Sequence, residues 1–445
     1  MVDWICRISF LAMKAKALSC FTIGCLLIGL FAGSTSWAGV PSASLALDGE
    51  LSGSLKKHVD FWIDIYSKYH TSQSVIHDAR YIDHIYEVID SPASAKEAKK
   101  KWRRVLLSLH EKQIQTQKQD LDPATLTTEE RKVYTLFQDV HEPGKFLNAA
   151  HRKRLRSQIG QREAHLEGLK ASGRYLPLME AVFKASGLPV ELTRLPFVES
   201  SFNLKARSKV GASGIWQFMP NTGRLFLNVN AAVDERNDPI RATEAAARLL
   251  KLNYDSLGTW PLAVTAYNNG RKNMMRLVRK LGSQDFEDLL TVYHGRAFGF
   301  ASSNFYSCLL ATIEIHKNYR KYFGEIEFQK PDDFFEAPLP DSVVLPELVR
   351  LMSFDSERVK TLNPGVDSDV FRGKVMLPAG YKLRLPMSGN LAKLEKDSAA
   401  RVFLTGYAEI PAVFKSAAND NGTSPYPSKP RSGTRRRKQH NRSSE

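Results

Sequence analysis

Apolar residues recur three and four positions apart along most of this chain, and that spacing confines it to a mainly α fold. Between Leu51 and Gly173 the sets Val59, Ile63, Tyr66, then Ile82, Ile85, Tyr86, Ile89, then Trp102, Leu106, Leu109 predict helices with one buried face. Thr127-Thr128-Glu129-Glu130 reads as a capping box ahead of Val133, Leu136, Phe137 and Val140. Arg152-Lys153-Arg154-Leu155-Arg156 reads as the basic face beginning a further helix, solvated and able to guide a polyanion. Ala245, Ala246, Leu249, Leu250 and Leu252 predict a buried helix over 241–254. Trp260 to Tyr267 predicts another, stopped by a glycine cap at Asn268-Asn269-Gly270.

Within this helical frame one carboxylate sits in apolar company. Leu188-Pro189-Val190-Glu191-Leu192 opens a helix with proline in its first turn, and the run Leu195-Pro196-Phe197-Val198-Glu199-Ser200-Ser201-Phe202 follows. Pro196 is expected to kink the helix body and aim Glu199 into a cleft. A glutamate buried there without a partner raises its pKa, and a glutamic acid protonated near neutral pH is a general acid. A solvated or capping role is the commoner fate of a single glutamate, so Glu199 alone does not decide. Glycines at 211 and 214 break the loop that follows and permit close backbone approaches.

Five motifs stand together in order: Glu199-Ser200, Gly211-Ala212-Ser213-Gly214-Ile215-Trp216-Gln217-Phe218-Met219-Pro220, Thr222-Gly223-Arg224, Asp234-Glu235-Arg236-Asn237-Asp238-Pro239 and Ala266-Tyr267-Asn268-Asn269-Gly270. In order and spacing they resemble the soluble lytic transglycosylase domain of membrane-bound lytic murein transglycosylases of the D type. The resemblance implies a goose-lysozyme-like lobe in which Glu199 is catalytic. It implies a sugar cleft lined by Ser200, Gln217, Met219 and Asn268, with Tyr267 hydrogen-bonded to the catalytic carboxyl. Farther on, the family often has Glu-Thr-Arg-Asn-Tyr where this chain has Ala301-Ser302-Ser303-Asn304-Phe305-Tyr306. Asn304 matches, either Phe305 or Tyr306 supplies the aromatic, and Ala301 and Ser303 depart from the pattern. No cofactor is implied, and no metal-ligand spacing occurs. His58, His70, His77 and His84 are read as structural or surface residues. Asp234, Glu235 and Asp238 are read as capping and ion-pairing residues.

The 445 residues carry a net charge of +16, which favours an anionic partner. The leader chooses among the candidates. Lys14 and Lys16 precede an apolar stretch, Ala17 to Phe31, and Ser36-Trp37-Ala38 forms a small-x-small site, so export to the periplasm with cleavage after Ala38 is expected. Either Met1 or Met13 serves as the start, and a retained anchor is the alternative. Cys308 is then the one cysteine of the mature chain, in an apolar helical setting that suits a structural thiol.

The expected organisation is a leader (1–38), a helical N-terminal region (39–174), the catalytic lobe (175–325), a proline-rich linker (326–338), a small α+β module (339–387), an extension (388–415) and a disordered basic tail (416–445). The module's Leu-Asn-Pro step and its Leu-Pro-Ala-Gly-Tyr-Lys-Leu-Arg-Leu-Pro close resemble the second half of a LysM module, without the usual opening strand. That resemblance implies either glycan binding or a degenerate packing unit. The tail is read as touching anionic lipid or wall polymer or as having no measurable role, and the leader and the lack of any recognised nucleic-acid module speak against nucleic acid.

The function implied is non-hydrolytic cleavage of the β-1,4 bond between N-acetylmuramic acid and N-acetylglucosamine in peptidoglycan glycan strands. The alternatives are a lysozyme-like muramidase and a non-catalytic wall-binding protein.

Overall fold

The computed structural model describes residues 51, 53–116, 121–292 and 298–387. The leader, the 388–415 extension and the basic tail lie outside the described residues.

The N-terminal region mixes helix and sheet. It holds α1 (Gly53–Ser67), β1 (Ser74–Asp78), β2 (Ile85–Ile89), α2 (Ala95–Gln115), α3 (Thr128–Leu136), α4 (Lys145–Ala149), β3 (Leu155–Ile159) and α5 (Arg162–Ser172). The three strands form an antiparallel sheet in the order β2-β1-β3. This corrects two expectations. Ile85, Tyr86 and Ile89 lie on a strand, because β1 offers them a ladder with Val75 opposite Val88. The basic run at 152–156 leads into β3 and is not a solvated helix face. Arg154 is paired to the fully buried Asp78 at 2.7 Å and to Glu142 at 3.2 Å, and Arg156 lies over the Phe300 ring. The capping box is formed: Thr127 accepts from Glu130 N–H and Glu130 accepts from Thr127 N–H.

The central lobe follows with α6 (Leu176–Ala185), a 3-10 turn (Val190–Arg194), α7 (Leu195–Ser200), α8 (Pro220–Gly223), a 3-10 turn (Glu235–Asn237), α9 (Pro239–Leu257), α10 (Trp260–Asn269), α11 (Arg271–Leu281), α12 (Phe286–Val292), α13 (Phe300–Lys317) and α14 (Tyr319–Phe323). Its axis is α13, buried along most of its length and packed on α1, α7 and α10. Trp62, Ile65 and Tyr66 of α1 belong to the same core as Phe197, Trp216 and Leu309, so N-terminal helix and lobe share one apolar interior. Cys308 is buried in it. The predicted helix at 241–254 is the middle of α9, although Leu252 faces outward. Gly270, at φ 84°, caps α10 as expected.

The last described unit is β4 (Phe334–Pro338), α15 (Leu345–Leu351), α16 (Ser356–Leu362), α17 (Ser368–Phe371) and β5 (Lys382–Pro386), with β4 and β5 antiparallel. The opening strand β4 stands where a linker was expected. Its residues alternate, with Phe335 and Ala337 turned into the unit's core. No helix among the described residues is long and apolar enough to cross a membrane.

Candidate active site

Pro196 does not kink a long helix. It occupies the first turn of α7, a fresh six-residue helix that starts where the 3-10 turn ends, so its missing N–H costs nothing. Glu199 is the fifth residue of α7 and Ser200 its last. The chain then reverses sharply through two left-handed residues, Ser201 at φ 50° and Phe202 at φ 59°. Ser201 N–H donates to Phe197 O and Phe202 N–H to Pro196 O, which ties the reversal to the helix it ends. Helix α5 presses on the turn through Gly168, where a Cβ would stand 2.5 Å from Ser201 O. Together with Gln217 at φ 48°, these make three of the four non-glycine residues with positive φ among the described residues. Such strain persists only where surrounding contacts enforce it, and it clusters at functional sites.

The Glu199 side chain is half-buried. Among the described residues no hydrogen bond or ion pair reaches its carboxyl, and burial alone pushes its pKa up to about 8. Between Glu199 and Asp234 the sequence contains no other Asp or Glu. A carboxyl in this setting holds its proton at neutral pH and has no charged partner to stabilise the anion.

The 211–218 segment forms a wall next to α7. Ser200 Oγ bridges from Pro196 O to Ile215 O, at 3.1 and 2.9 Å. Gln217 Nε2 donates to Gly214 O at 2.8 Å and to Ala206 O at 3.2 Å. Trp216 is fully buried, stacked on Phe183, with its indole N–H donating to Thr243 Oγ1 at 2.9 Å. Tyr267, expected on the catalytic carboxyl, donates its hydroxyl to Trp216 O at 2.9 Å. Glu199 is nevertheless close enough that its charge, after burial, helps raise the Tyr267 pKa. The phenol oxygen still has lone pairs to offer a protonated Glu199. Met219 is 41% exposed at the start of α8, and Asn268 is half-buried, accepting from Ser302 Oγ.

Two of the expected substrate contacts fall elsewhere. Asn304 is buried, with Oδ1 joined to His58 Nδ1 and Trp62 Nε1 at 2.9 and 2.8 Å and Nδ2 donating to Phe300 O. Its amide ties α1 to α13 and has no capacity left for sugar. Tyr306 is fully buried beside Phe286, its hydroxyl without a partner, and burial raises its pKa. Both are core residues because α13 is the lobe's axis. Nothing in the described residues groups His, Cys, Asp and Glu as a metal site.

The residue missed by motif reading is Arg236. Its guanidinium is held by Asp234 and donates through Nη1 to Gly211 O at 2.8 Å and Phe218 O at 3.1 Å, fastening both ends of the wall. The contacts span 25 and 18 residues, and no local pattern announces them.

Residues 179–290, from α6 into α12, match the family described as Transglycosylase SLT domain. Over that stretch the lobe is similar to a transglycosylase SLT domain. The chain is also 28% identical over 238 residues to membrane-bound lytic murein transglycosylase D of Escherichia coli (strain K12), covering 51% of this chain and 52% of that protein. It is 31% identical over 109 residues to a putative tributyltin chloride resistance protein of Alteromonas sp. (strain M-1), covering 24% of this chain and 53% of that one. It thus spans about half the length of the curated relatives it matches. Among solved structures it is similar to the 70 kDa soluble lytic transglycosylase of Escherichia coli, at 21% identity and a TM-score of 0.27, covering 35% of this chain and 27% of that one. The SLT domain match encloses Glu199, the wall, Arg236 and Tyr267.

Gly214 of the SLT domain shows how tightly the wall is built. Its φ is +76°, and a Cβ there would stand 1.8 Å from Arg236 O. Gly214→Ala is expected to cost roughly 3 kcal/mol or more, from the overlap and the strained backbone together. Chemical denaturation of the variant beside the parent chain checks it.

Proposed function

We propose that this chain is a peptidoglycan lytic transglycosylase acting on the β-1,4 bond between N-acetylmuramic acid and N-acetylglucosamine. The observation that carries the reading is the Glu199 carboxyl, half-buried beside the wall, reached by no hydrogen bond or ion pair among the described residues, with its pKa pushed up by burial to about 8. As an acid it gives its proton to the glycosidic oxygen as the C1–O bond breaks. The carboxylate left behind then takes the proton of the muramyl C6 hydroxyl, whose oxygen closes on C1. The product is a 1,6-anhydro ring, and Glu199 ends protonated as it began, with no water consumed.

Hydrolysing glycosidases use two carboxyl groups, one of them a nucleophile or an activator of water. Among the described residues no second carboxylate contributes to the Glu199 shift, which favours the transglycosylase reading over the hydrolase. In this reading Gln217, Met219 and Asn268 line the sugar cleft, Ser200 fixes α7 against the wall, and Tyr267 orients the Glu199 proton. Export to the periplasm, with Ala38 the last residue of a cleaved leader, and contact of the basic tail with anionic lipid or wall polymer belong to the same proposal. The strand–helix–helix–helix–strand order of 334–386 supports a LysM-like reading of that unit.

Mass spectrometry of muropeptides released from purified peptidoglycan tests the reading. Products about 18 Da lighter than reducing sugars, the mass of one water, are expected. Full-mass reducing ends would make it a hydrolase. The pH profile follows from the same group: above about 8 the acid form is lost, and kcat/KM should fall about tenfold per pH unit.

A further inference from the structure

The unit formed by β4 to β5 is fastened to the SLT domain by backbone as well as by apolar contact. Phe335, Leu345, Val359 and Leu383 form one buried cluster with Ala232 and Val233 of the SLT domain. Asp234 N–H donates to Gly365 O at 2.7 Å and Asp367 N–H to Ala232 O at 2.9 Å, and Val233 pairs with Val366 in a β-bridge. Gly365 is buried at the join, where a Cβ would stand 3.2 Å from Asp234 O and 3.3 Å from Asp238 Cβ. The strip so held, 232–238, includes Arg236, whose side chain grips Gly211 O and Phe218 O.

From this chain of contacts we propose that the C-terminal unit is a brace for the catalytic cleft. It fixes 232–238, and through the Asp234–Arg236 pair it fixes the wall beside Glu199. Three left-handed residues at the site need outside contacts to hold them, and the wall contains one of them, Gln217. The guanidinium is a rigid fork with donors in fixed directions, so one side chain joins Asp234 on one edge to two wall carbonyls on the other. Arg236 and Gly365 are therefore positioning residues, acting on the reaction through the wall. The brace rests on the lytic transglycosylase reading only for its effect on turnover.

Hydrogen exchange read by mass spectrometry on the full chain tests it, with Gly365→Val wedging the join and Arg236→Lys keeping the charge while losing the fork. The reporters are the amides of Ser213, Gly214 and Gln217, bonded to Phe218 O, Ala206 O and Gly214 O. Both variants are expected to speed exchange across 204–219 while α13 stays protected. Release of muropeptides should fall about 10²-fold with pelleting on peptidoglycan retained. Unchanged exchange across 204–219 in Gly365→Val overturns the brace. So does lost pelleting with that exchange unchanged, which would make the unit a glycan-binding module. Should Gly365→Val fail to fold, Arg236→Lys alone decides between fast and unchanged exchange. If the parent chain released no anhydro products, the catalytic reading would fall while the exchange result still judged the brace.

Discussion

Glu199→Gln should lower the release of muropeptides roughly 10³-fold or more while leaving the fold and the pelleting on peptidoglycan intact. The substitution keeps the volume and removes the one proton that the reaction moves. Because the same group serves as acid and then as base, both steps fail together, and among the described residues no carboxyl shifts the Glu199 pKa as a close neighbour would. A companion effect on stability has a definite sign. The folded pKa of Glu199 is near 8 and its ordinary value is 4.5, so the native chain keeps a proton that the unfolded chain loses. Its contribution is fully present below about 4.5 and is lost as pH rises to about 8, an order of about 3–5 kcal/mol over the range. The Gln variant has no such loss. Its denaturation midpoint should therefore gain on the parent chain as pH rises from 5 to 8, and a midpoint difference independent of pH would contradict the burial of the group.

The second large effect is expected at Arg384→Ala. This guanidinium is 4% exposed and donates to Asp238 Oδ2 at 2.7 Å and to Glu336 Oε1 at 3.0 Å. Arg241 shares Glu336 at 2.7 Å. Asp238 also caps α9 through Ile240 N–H and Arg241 N–H, so the cluster ties the start of α9 to β5, the last described strand. Burial works against the charged Arg384, but Asp238 and Glu336 more than offset it and its pKa is raised. Deleting the cation leaves a buried Asp238 charge with no ionic partner, a loss of about 3–5 kcal/mol. Denaturant titration of the variant beside the parent checks this, and a change under about 1 kcal/mol would show that the cluster adds little.

Much of this architecture is legible in the sequence where the signal is local. The capping box at Thr127 and the Gly270 stop each depend on residues within a few positions, and side-chain chemistry alone predicts them. The sheet is a different matter. Ile82, Ile85, Tyr86 and Ile89 satisfy helical spacing, yet short apolar runs fit either element, and the ladder offered by β1 decides. Arg154 likewise looks like surface charge until β1 brings Asp78 to it across 76 residues. At the site the same division holds. Glu199 stands out because it sits in a dense local motif, whereas Tyr267, expected on its carboxyl, donates to Trp216 O instead. Asn304 and Tyr306 look like wall residues in the motif and prove to be core, since nothing in a motif reports that α13 is surrounded on all sides. Arg236 lies inside the Asp-Glu-Arg-Asn-Asp-Pro run, but its partners at Gly211 and Phe218 emerge only once the wall is folded.

The protonation of Glu199 is the claim on which the mechanism turns, and it can be read directly. Glutamate labelled with ¹³C at the side-chain carboxyl, with Glu199→Gln to assign the resonance, gives its titration midpoint in the folded chain. A midpoint near 8 is the predicted result. A midpoint at about 4–5, the range of a solvated glutamate, would contradict the account, because the group would then be an anion at neutral pH with no proton to give.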